Sequence, residues 1–459
     1  MKWQIKNWLT YYLPLITIVW CALMLLSLYT GWFNAFFYDS SNLHVQGIDY
    51  FALPKTFLNL KEGLSMFNTW GGTPYGPYAT WYLGHPAFGL FVCSWFSLFS
   101  PWTSYWLFVI FSFGIMVFSA WLMAKRAPSL FAKRLTWFLL LFGFPLFWML
   151  YVGNMHAPTV LALSCIFIAF QIASSGALST QQYKSVQRFL MAGLLISFFT
   201  KPIVLLMLPL LLLLKETRRT TLISLLIYGF VSFLFIVIPV LNPEGIGLSN
   251  VWKVATDISF IKQHMNIYQN NFVLNAYMKD NSIHWLNLIA QSDYRLMHID
   301  VFSFPVFIDT LLGYPLNAAW YKIPIYITLI LSCIVPFIKN RVLKFQTALL
   351  LLMAISLTFF LSYNTVWEYQ YASLLPILAL LPQLYQNNVF YKKWIPLLGA
   401  IAFFVSLPNC YVFLHGRTIT PFFLLLIRLN RVIPVMLLFI LFLFLIVQAI
   451  RQAFLKKDA

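Results

Sequence analysis

The chain has 459 residues, 61% of them hydrophobic and only 9% charged, with 30 Lys and Arg against 12 Asp and Glu. Its mean hydropathy of +0.79 and its repeated apolar runs of about twenty residues exceed what a soluble core contains, and mark a polytopic integral membrane protein. The net charge of +18 would point to nucleic acid in a soluble chain; here much of it sits beside the ends of apolar runs, where Lys and Arg set topology and meet anionic lipid, and no nucleic-acid partner is expected.

Lys2 and Lys6 precede an apolar stretch from Tyr11 to Phe37 that is too long for a signal-peptide core and lacks a small-x-small cleavage site. It reads as an uncleaved first helix with its N-terminus in the cytoplasm. Further spans are expected at 82–99, 104–124, 135–152, 156–173, 189–214, 221–241, 320–338, 345–362, 370–385, 394–413 and 432–450, giving an all-α fold of roughly twelve transmembrane helices in a single domain. The clusters Lys215/Arg218/Arg219, Lys339/Arg341/Lys344, Lys392/Lys393 and Arg451/Lys456/Lys457 then fall on the cytoplasmic side. Lys125, Arg126, Lys133 and Arg134 face outward under this parse, which calls for either a re-entrant span or a patch that binds anionic headgroups. Cys21, Cys93, Cys165, Cys333 and Cys410 lie in or beside apolar runs without paired spacing, so neither a disulfide framework nor a zinc site is expected.

Two long outer segments remain, 34–81 and 242–319. In the first, Ile48 to Met66 alternates Phe51, Leu58, Leu60 and Leu64 with Lys55, Lys61 and Glu62 at helical spacing, as a helix lying in the interface plane would, and Pro54 suits its first turn. The second carries His264, His284 and His298 and an apolar stretch, Val301 to Leu312, that suits another in-plane helix.

Where the acids sit narrows the function. None of the twelve falls in an expected span: Glu216 and Asp458 are cytoplasmic, and the rest, among them Asp39, Asp49, Glu62 and Glu368, are outside. An ion-coupled transporter is expected to carry an ionisable acid within its spans. Nucleotide chemistry would need paired carboxylates or a phosphate loop, and Asp-x-Asp, Walker, His-x-x-x-His and Gly-x-Ser-x-Gly patterns are all missing from the sequence. Glycosyl transfer from a polyprenyl-phosphate sugar on the outer face fits what is left. A carboxylate deprotonates the acceptor hydroxyl, cations stabilise the leaving lipid phosphate, and neither a metal nor another cofactor is required.

The first outer segment, Gly47-Ile48-Asp49-Tyr50 through Leu60-Lys61-Glu62-Gly63, then Thr73-Pro74-Tyr75 and Tyr82-Leu83-Gly84-His85-Pro86, resembles the opening of the GT-C glycosyltransferases, in particular the polyprenol-phosphate-mannose-dependent α-mannosyltransferases. Tyr151-Val152-Gly153-Asn154, Thr200-Lys201-Pro202, Gln269-Asn270-Asn271-Phe272 and Asn364-Thr365-Val366-Trp367-Glu368-Tyr369-Gln370-Tyr371 resemble further short elements of that family. Gly84-His85-Pro86 stands where the family has Tyr-Pro-Pro, and Asn154 where glutamine is commoner. The resemblance implies a GT-C fold and transfer of a hexose, mannose by family, from a polyprenyl-phosphate donor to a lipid-linked or surface glycan. The site would face outward, from the cytoplasmic (inner) membrane if the source is bacterial, with Asp49 as the base of an inverting displacement.

Asp49 also suits a plain helix-capping role. Lys201, the cation in the middle of a span, needs a cavity, a partner or an anion, and lipid phosphate is the expected anion. His85, Lys61, Tyr75, His264, Asn271, Trp367, Glu368 and Tyr371 complete the candidate substrate-binding set, and Arg417, Arg428 and Arg431 read as a headgroup-anchoring group. An O-antigen-type polymerase or ligase, and a lipid-glycan flippase or transporter, stay open as alternatives.

Overall fold

The computed structural model describes residues 2–32, 46, 47, 49–51, 53, 54, 85–176, 178–201, 203–234, 302–317, 319–363, 366–387, 393–408 and 420–455. The expected in-plane helix at 48–66 lies mostly outside these residues, as do Lys61, Tyr75, His264, Asn271 and Arg417. The described residues form helices and connecting turns, with no strand among them. In chain order the α-helices are α1 (Lys2–Thr30), α2 (Pro101–Ala124), α3 (Leu130–Phe142), α4 (Phe144–Val152), α5 (Ala157–Ala173), α6 (Thr180–Phe199), α7 (Leu208–Leu213), α8 (Lys215–Ser232), α9 (Phe304–Leu312), α10 (Ile323–Ile334), α11 (Arg341–Ser362), α12 (Leu375–Asn387), α13 (Ile395–Ser406) and α14 (Pro421–Leu455). A short α-turn, a π-turn and a 3-10 turn fill 86–98, and 3-10 turns at Ile203–Met207 and Glu368–Leu374 lead into α7 and α12.

Helix starts follow side-chain chemistry. The Ser129 and Ser303 hydroxyls and the Asn340 side chain accept from backbone N–H groups of the first turns of α3, α9 and α11, satisfying donors that a helix start leaves without partners. Ser179 and Gln182 form a reciprocal capping box at α6.

Among the described residues five helices are long and apolar enough to cross a membrane, and a sixth such span results when α3 and α4, bent by 40° at Gly143, are taken as one. Large apolar side chains project outward from α1, α2, α8, α10 and α14, among them Tyr11, Ile110, Leu226, Ile330 and Phe422. An outer surface this apolar is compatible with a membrane protein and foreign to a soluble one.

Long-range bonds show which helix ends lie together. Arg134, in the first turns of α3, donates to the Thr10 carbonyl of α1. Gln383 of α12 donates to the Met123 carbonyl at the end of α2 at 3.0 Å and receives a bond from Gln171, near the end of α5, at 2.8 Å. Arg341 at the start of α11 donates to the Gly176 carbonyl beyond α5, and Lys344 pairs with Glu216 at the start of α8 at 2.6 Å. These groups define a basal end that includes the N-terminal turns of α1. At Glu216 burial works against the charge, but the Lys344 hydrogen bond and the charges of Lys344 and Arg341 outweigh it and hold the carboxyl below its ordinary range.

Two expected spans take another form, and the differences compensate. The 82–99 stretch does not run the length of the bundle: His85 meets Ser232 at the end of α8, and Phe96 packs on Tyr50 and accepts through its carbonyl from Ser104 in the first turn of α2. Both ends of 85–98 therefore lie opposite the basal end, and the Pro and Gly at its start, followed by π and 3-10 turns, keep it short. The expected single span 189–214 is instead two limbs, α6 running away from the basal end and 203–213 returning to it. The chain breaks at Thr200-Lys201, where Pro202 disfavours helical backbone at the residue before it. With these two changes Lys125, Arg126, Lys133 and Arg134 fall at the basal end with the other basic clusters, not on the outward side that the sequence parse gave them.

Arg428 and Arg431 also depart from expectation. Both are fully buried, not presented to headgroups. Arg431 donates through Nε to Glu368 Oε1 at 2.7 Å, with neither side chain exposed, and through Nη2 to the Leu407 carbonyl at 2.7 Å. Arg428 donates to Thr310 of α9 at 2.7 Å.

Candidate functional site

The end opposite the basal end is organised by the close of α4. Gly153 caps that helix in the left-handed region, φ 73° and ψ 35°, with its N–H bonded to the Met149 and Leu150 carbonyls. A Cβ here would run into Tyr50 Cβ as well as the unfavourable φ, so glycine is required twice over. The last carbonyls of α4, which no helical N–H can reach, are taken up by the segment after α1. Gly47 N–H donates to Tyr151 at 2.8 Å, and Asp49 N–H and Tyr50 N–H to Val152 at 2.8 and 3.3 Å. The Tyr105 hydroxyl donates to the Leu150 carbonyl at 2.9 Å, and Tyr50, fully buried, bonds through its own hydroxyl to Ser104. Asp49 is thereby fixed by backbone bonds on both sides of a buried aromatic anchor.

From this point a chain of polar groups crosses the helix ends. Asn154 Nδ2 donates to Asp49 Oδ2 at 2.6 Å. Asn154 Oδ1 accepts from Lys201 Nζ at 3.0 Å, and Lys201 Nζ lies 2.8 Å from His156 Nε2. An ammonium has only donors, so His156 Nε2 must accept, and the imidazole proton resides on Nδ1. The Tyr369 ring lies 5.4 Å from Lys201 Nζ and 5.5 Å from the His156 ring, completing a cation–π contact. Asp49, Asn154 and Lys201 are half-buried, while His156 is buried. Lys201 stays in the break after α6 because its carbonyl accepts from Ser197 Oγ and from Ile203 N–H, both at 2.7 Å.

No family model, no curated protein and no solved structure matches the chain.

The remaining candidates separate. His85 Nδ1 accepts from Ala87 N–H at 3.1 Å, so its neutral ring donates through Nε2 to Ser232 Oγ at 3.1 Å, in a slot between Phe199 and Tyr228. It stands against the residue two before Lys201, outside the Asp49–Lys201 chain. In the 3-10 turn Glu368–Leu374, residues three apart share a face. Glu368 and Tyr371 therefore turn together to Arg431, and the Tyr371 hydroxyl donates to the Phe302 carbonyl at 2.6 Å. Tyr369 takes the other face and meets Lys201. Trp367 is half-buried, its N–H donating to Gln370 Oε1 at 3.1 Å. Of the candidates that the structure describes, it thus joins Asp49 and Lys201, and sends Glu368 and Tyr371 to a separate buried ion pair.

His156 is a residue of this cluster that the sequence reading left out, and Asn154 and Tyr369 figured there only as parts of motifs. The available signal was polarity out of place: Asn154-Met155-His156 interrupts a mostly apolar run from 144 to 173. Among the described residues no three His, Cys, Asp or Glu side chains converge as a metal site requires. The groups at hand are one carboxylate, one ammonium and one imidazole, bridged by an amide.

Proposed function

We propose that the protein is a multi-pass membrane glycosyltransferase that moves a hexose, mannose by resemblance, from a polyprenyl-phosphate donor to a lipid-linked or surface glycan on the non-cytoplasmic face. The observation that carries this reading is the Asn154 amide held between Asp49 and Lys201. An amide between a carboxylate and an ammonium keeps the two from closing into a direct ion pair. It leaves one group to take a proton and another to receive negative charge.

Those are the two demands of an inverting displacement on a sugar phosphate. The acceptor oxygen forms its bond to the anomeric carbon as its proton passes to Asp49. The bond from that carbon to the phosphate oxygen breaks, and polyprenyl phosphate leaves with the electron pair. Lys201, with one N–H beyond those given to Asn154 and His156, is the cation for that phosphate. The half-buried setting strengthens each of these interactions over its value in water.

The membrane reading rests on the same geometry. Counting α1, α2, α3 with α4, α5, α6, 203–213, α8, α10, α11, 368–387, α13 and α14 as passes gives about twelve crossings, in keeping with a GT-C arrangement. The basal end gathers Lys125, Arg126, Lys133, Arg134, Lys215, Arg341 and Lys344, and the positive-inside rule makes such an end cytoplasmic. Asp49 and Lys201 then face outward, toward a donor with a lipid anchor. The irregular backbone at Lys201 is tolerable at depth because it lines a polar cluster inside the protein.

The test is transfer of radiolabelled hexose from polyprenyl-phosphate donors by the purified protein in lipid. Product from one such donor supports the reading, and no product from any of them removes the enzyme class.

A further inference from the structure

His156 holds a buried hydrogen-bond donor that no described residue uses. The residue is 1% exposed and its Nδ1 has no hydrogen-bond partner among the described residues. Because Nε2 accepts from Lys201, Nδ1 carries the proton, and a buried N–H without an acceptor is destabilising. One turn on, Thr159 is fully buried and its Oγ1 likewise has no partner among the described residues. Both residues stand at the start of α5, a 17-residue helix whose positive end lies there. Lys201 polarises the imidazole from its other side, which makes Nδ1–H a stronger donor. The acid in this network, Asp49, is linked to Lys201 through the Asn154 amide, and the half-buried Tyr369 ring covers Lys201 and His156 together. A cation, a helix N-terminus and two unused buried polar groups all favour one kind of occupant, an anionic oxygen.

We propose that the first turn of α5 is an anion subsite of phosphate class, in which His156 Nδ1–H and Thr159 Oγ1 donate to phosphate oxygens beside Lys201. This rests on the donor reading above and deepens it, assigning the phosphate two neutral donors while the charge of Lys201 acts on it from across the imidazole. His156 has two separable duties here, accepting from Lys201 at Nε2 and donating to the ligand at Nδ1. Asparagine places its amide where Nδ1 lies, and glutamine places its amide where Nε2 lies, so the two isosteres divide these duties.

The experiment is calorimetric titration of the full chain in nanodiscs with polyprenyl phosphate without sugar, with inorganic phosphate and with neutral polyprenol. Thermal unfolding of each variant serves as the check on folding. For polyprenyl phosphate, His156→Gln is expected to weaken binding about tenfold and Thr159→Val about threefold. His156→Asn should stay within about threefold of wild type, and polyprenol should not compete. Binding of inorganic phosphate with this same pattern, but none of polyprenyl phosphate, supports the anion subsite while removing the lipid donor. The subsite is overturned if His156→Gln binds like wild type, as it would were Nδ1–H met only by an interior water. It is equally overturned if His156→Asn alone loses binding, or if wild type binds neither anion.

Discussion

Asn154 is the residue on which the site turns, since its one amide orients a carboxylate with the nitrogen and an ammonium with the oxygen. Asn154→Ala removes both bonds, taking one hydrogen-bond donor from Asp49 and one acceptor from Lys201. The expected outcome is a fall of about 10- to 100-fold in kcat for sugar transfer, the scale of a lost orienting contact, with little change in the unfolding midpoint because the residue is half-buried. Steady-state kinetics alongside thermal unfolding in detergent check it, and an unchanged kcat contradicts it. Asp49 and Lys201 were legible as residue types in scarce supply, an acid beside a membrane boundary and a cation in an apolar run. Their linkage was not. The bonds join positions 105 and 47 residues apart, and periodicity does not say which polar groups of different helices meet. Tyr369 shows the same limit: whether it or its neighbours Glu368 and Tyr371 face Lys201 depends on a 3-10 rather than an α-helical turn.

At the scale of elements, the buried Glu368–Arg431 pair ties the 3-10 turn bearing Tyr369 to α14, and Arg431 also reaches the Phe404 and Leu407 carbonyls at the end of α13. Removing one partner strands the other charge without solvent. Glu368→Gln or Arg431→Met alone is expected to cost about 3–5 kcal/mol of stability, and the double variant to recover most of that loss. Thermal or denaturant unfolding of the four proteins reads this directly, and additive losses would contradict the coupling. The breaks in the helices were partly written in the sequence. Gly143, against which Leu375 packs closely, divides the expected span 135–152, and Pro202 divides 189–214. Hydropathy averages over such residues, so an apolar run that doubles back reads as one span. It also reads 85–98 as a crossing, because apolar content does not distinguish a segment lying across the end of a bundle from one passing through it.

At the scale of the whole molecule, contacts between distant helix ends assign the basic residues to one side, and that side is testable. In a protein whose native cysteines have been replaced, a cysteine at Ala127, between α2 and α3, should react with a membrane-impermeant maleimide only from the cytoplasmic side, and one at Gly313 only from outside. Labelling of both from the same side would overturn the orientation. The basal end also has a pH signature. Glu216 has a carboxyl held below its ordinary value of 4.5, so the stabilisation from its Lys344 contact is complete above that value and is lost as pH falls through the lowered one. The unfolding midpoint of wild type should therefore exceed that of Glu216→Gln by a constant margin above about pH 5, and the margin should close on further acidification. A margin that widens in acid would contradict the assignment.

The all-helical, membrane-compatible character of the chain follows from composition, whereas the meeting of Asp49, Asn154, Lys201 and His156 at one end follows from topology alone. The role proposed for this meeting is proton removal in glycosyl transfer, and it is read by the rate of hexose transfer from a polyprenyl-phosphate donor by wild type and Asp49→Asn. The expected result is a loss of at least about 100-fold in the variant with membrane insertion and unfolding midpoint unchanged. Transfer by Asp49→Asn at the wild-type rate would contradict it.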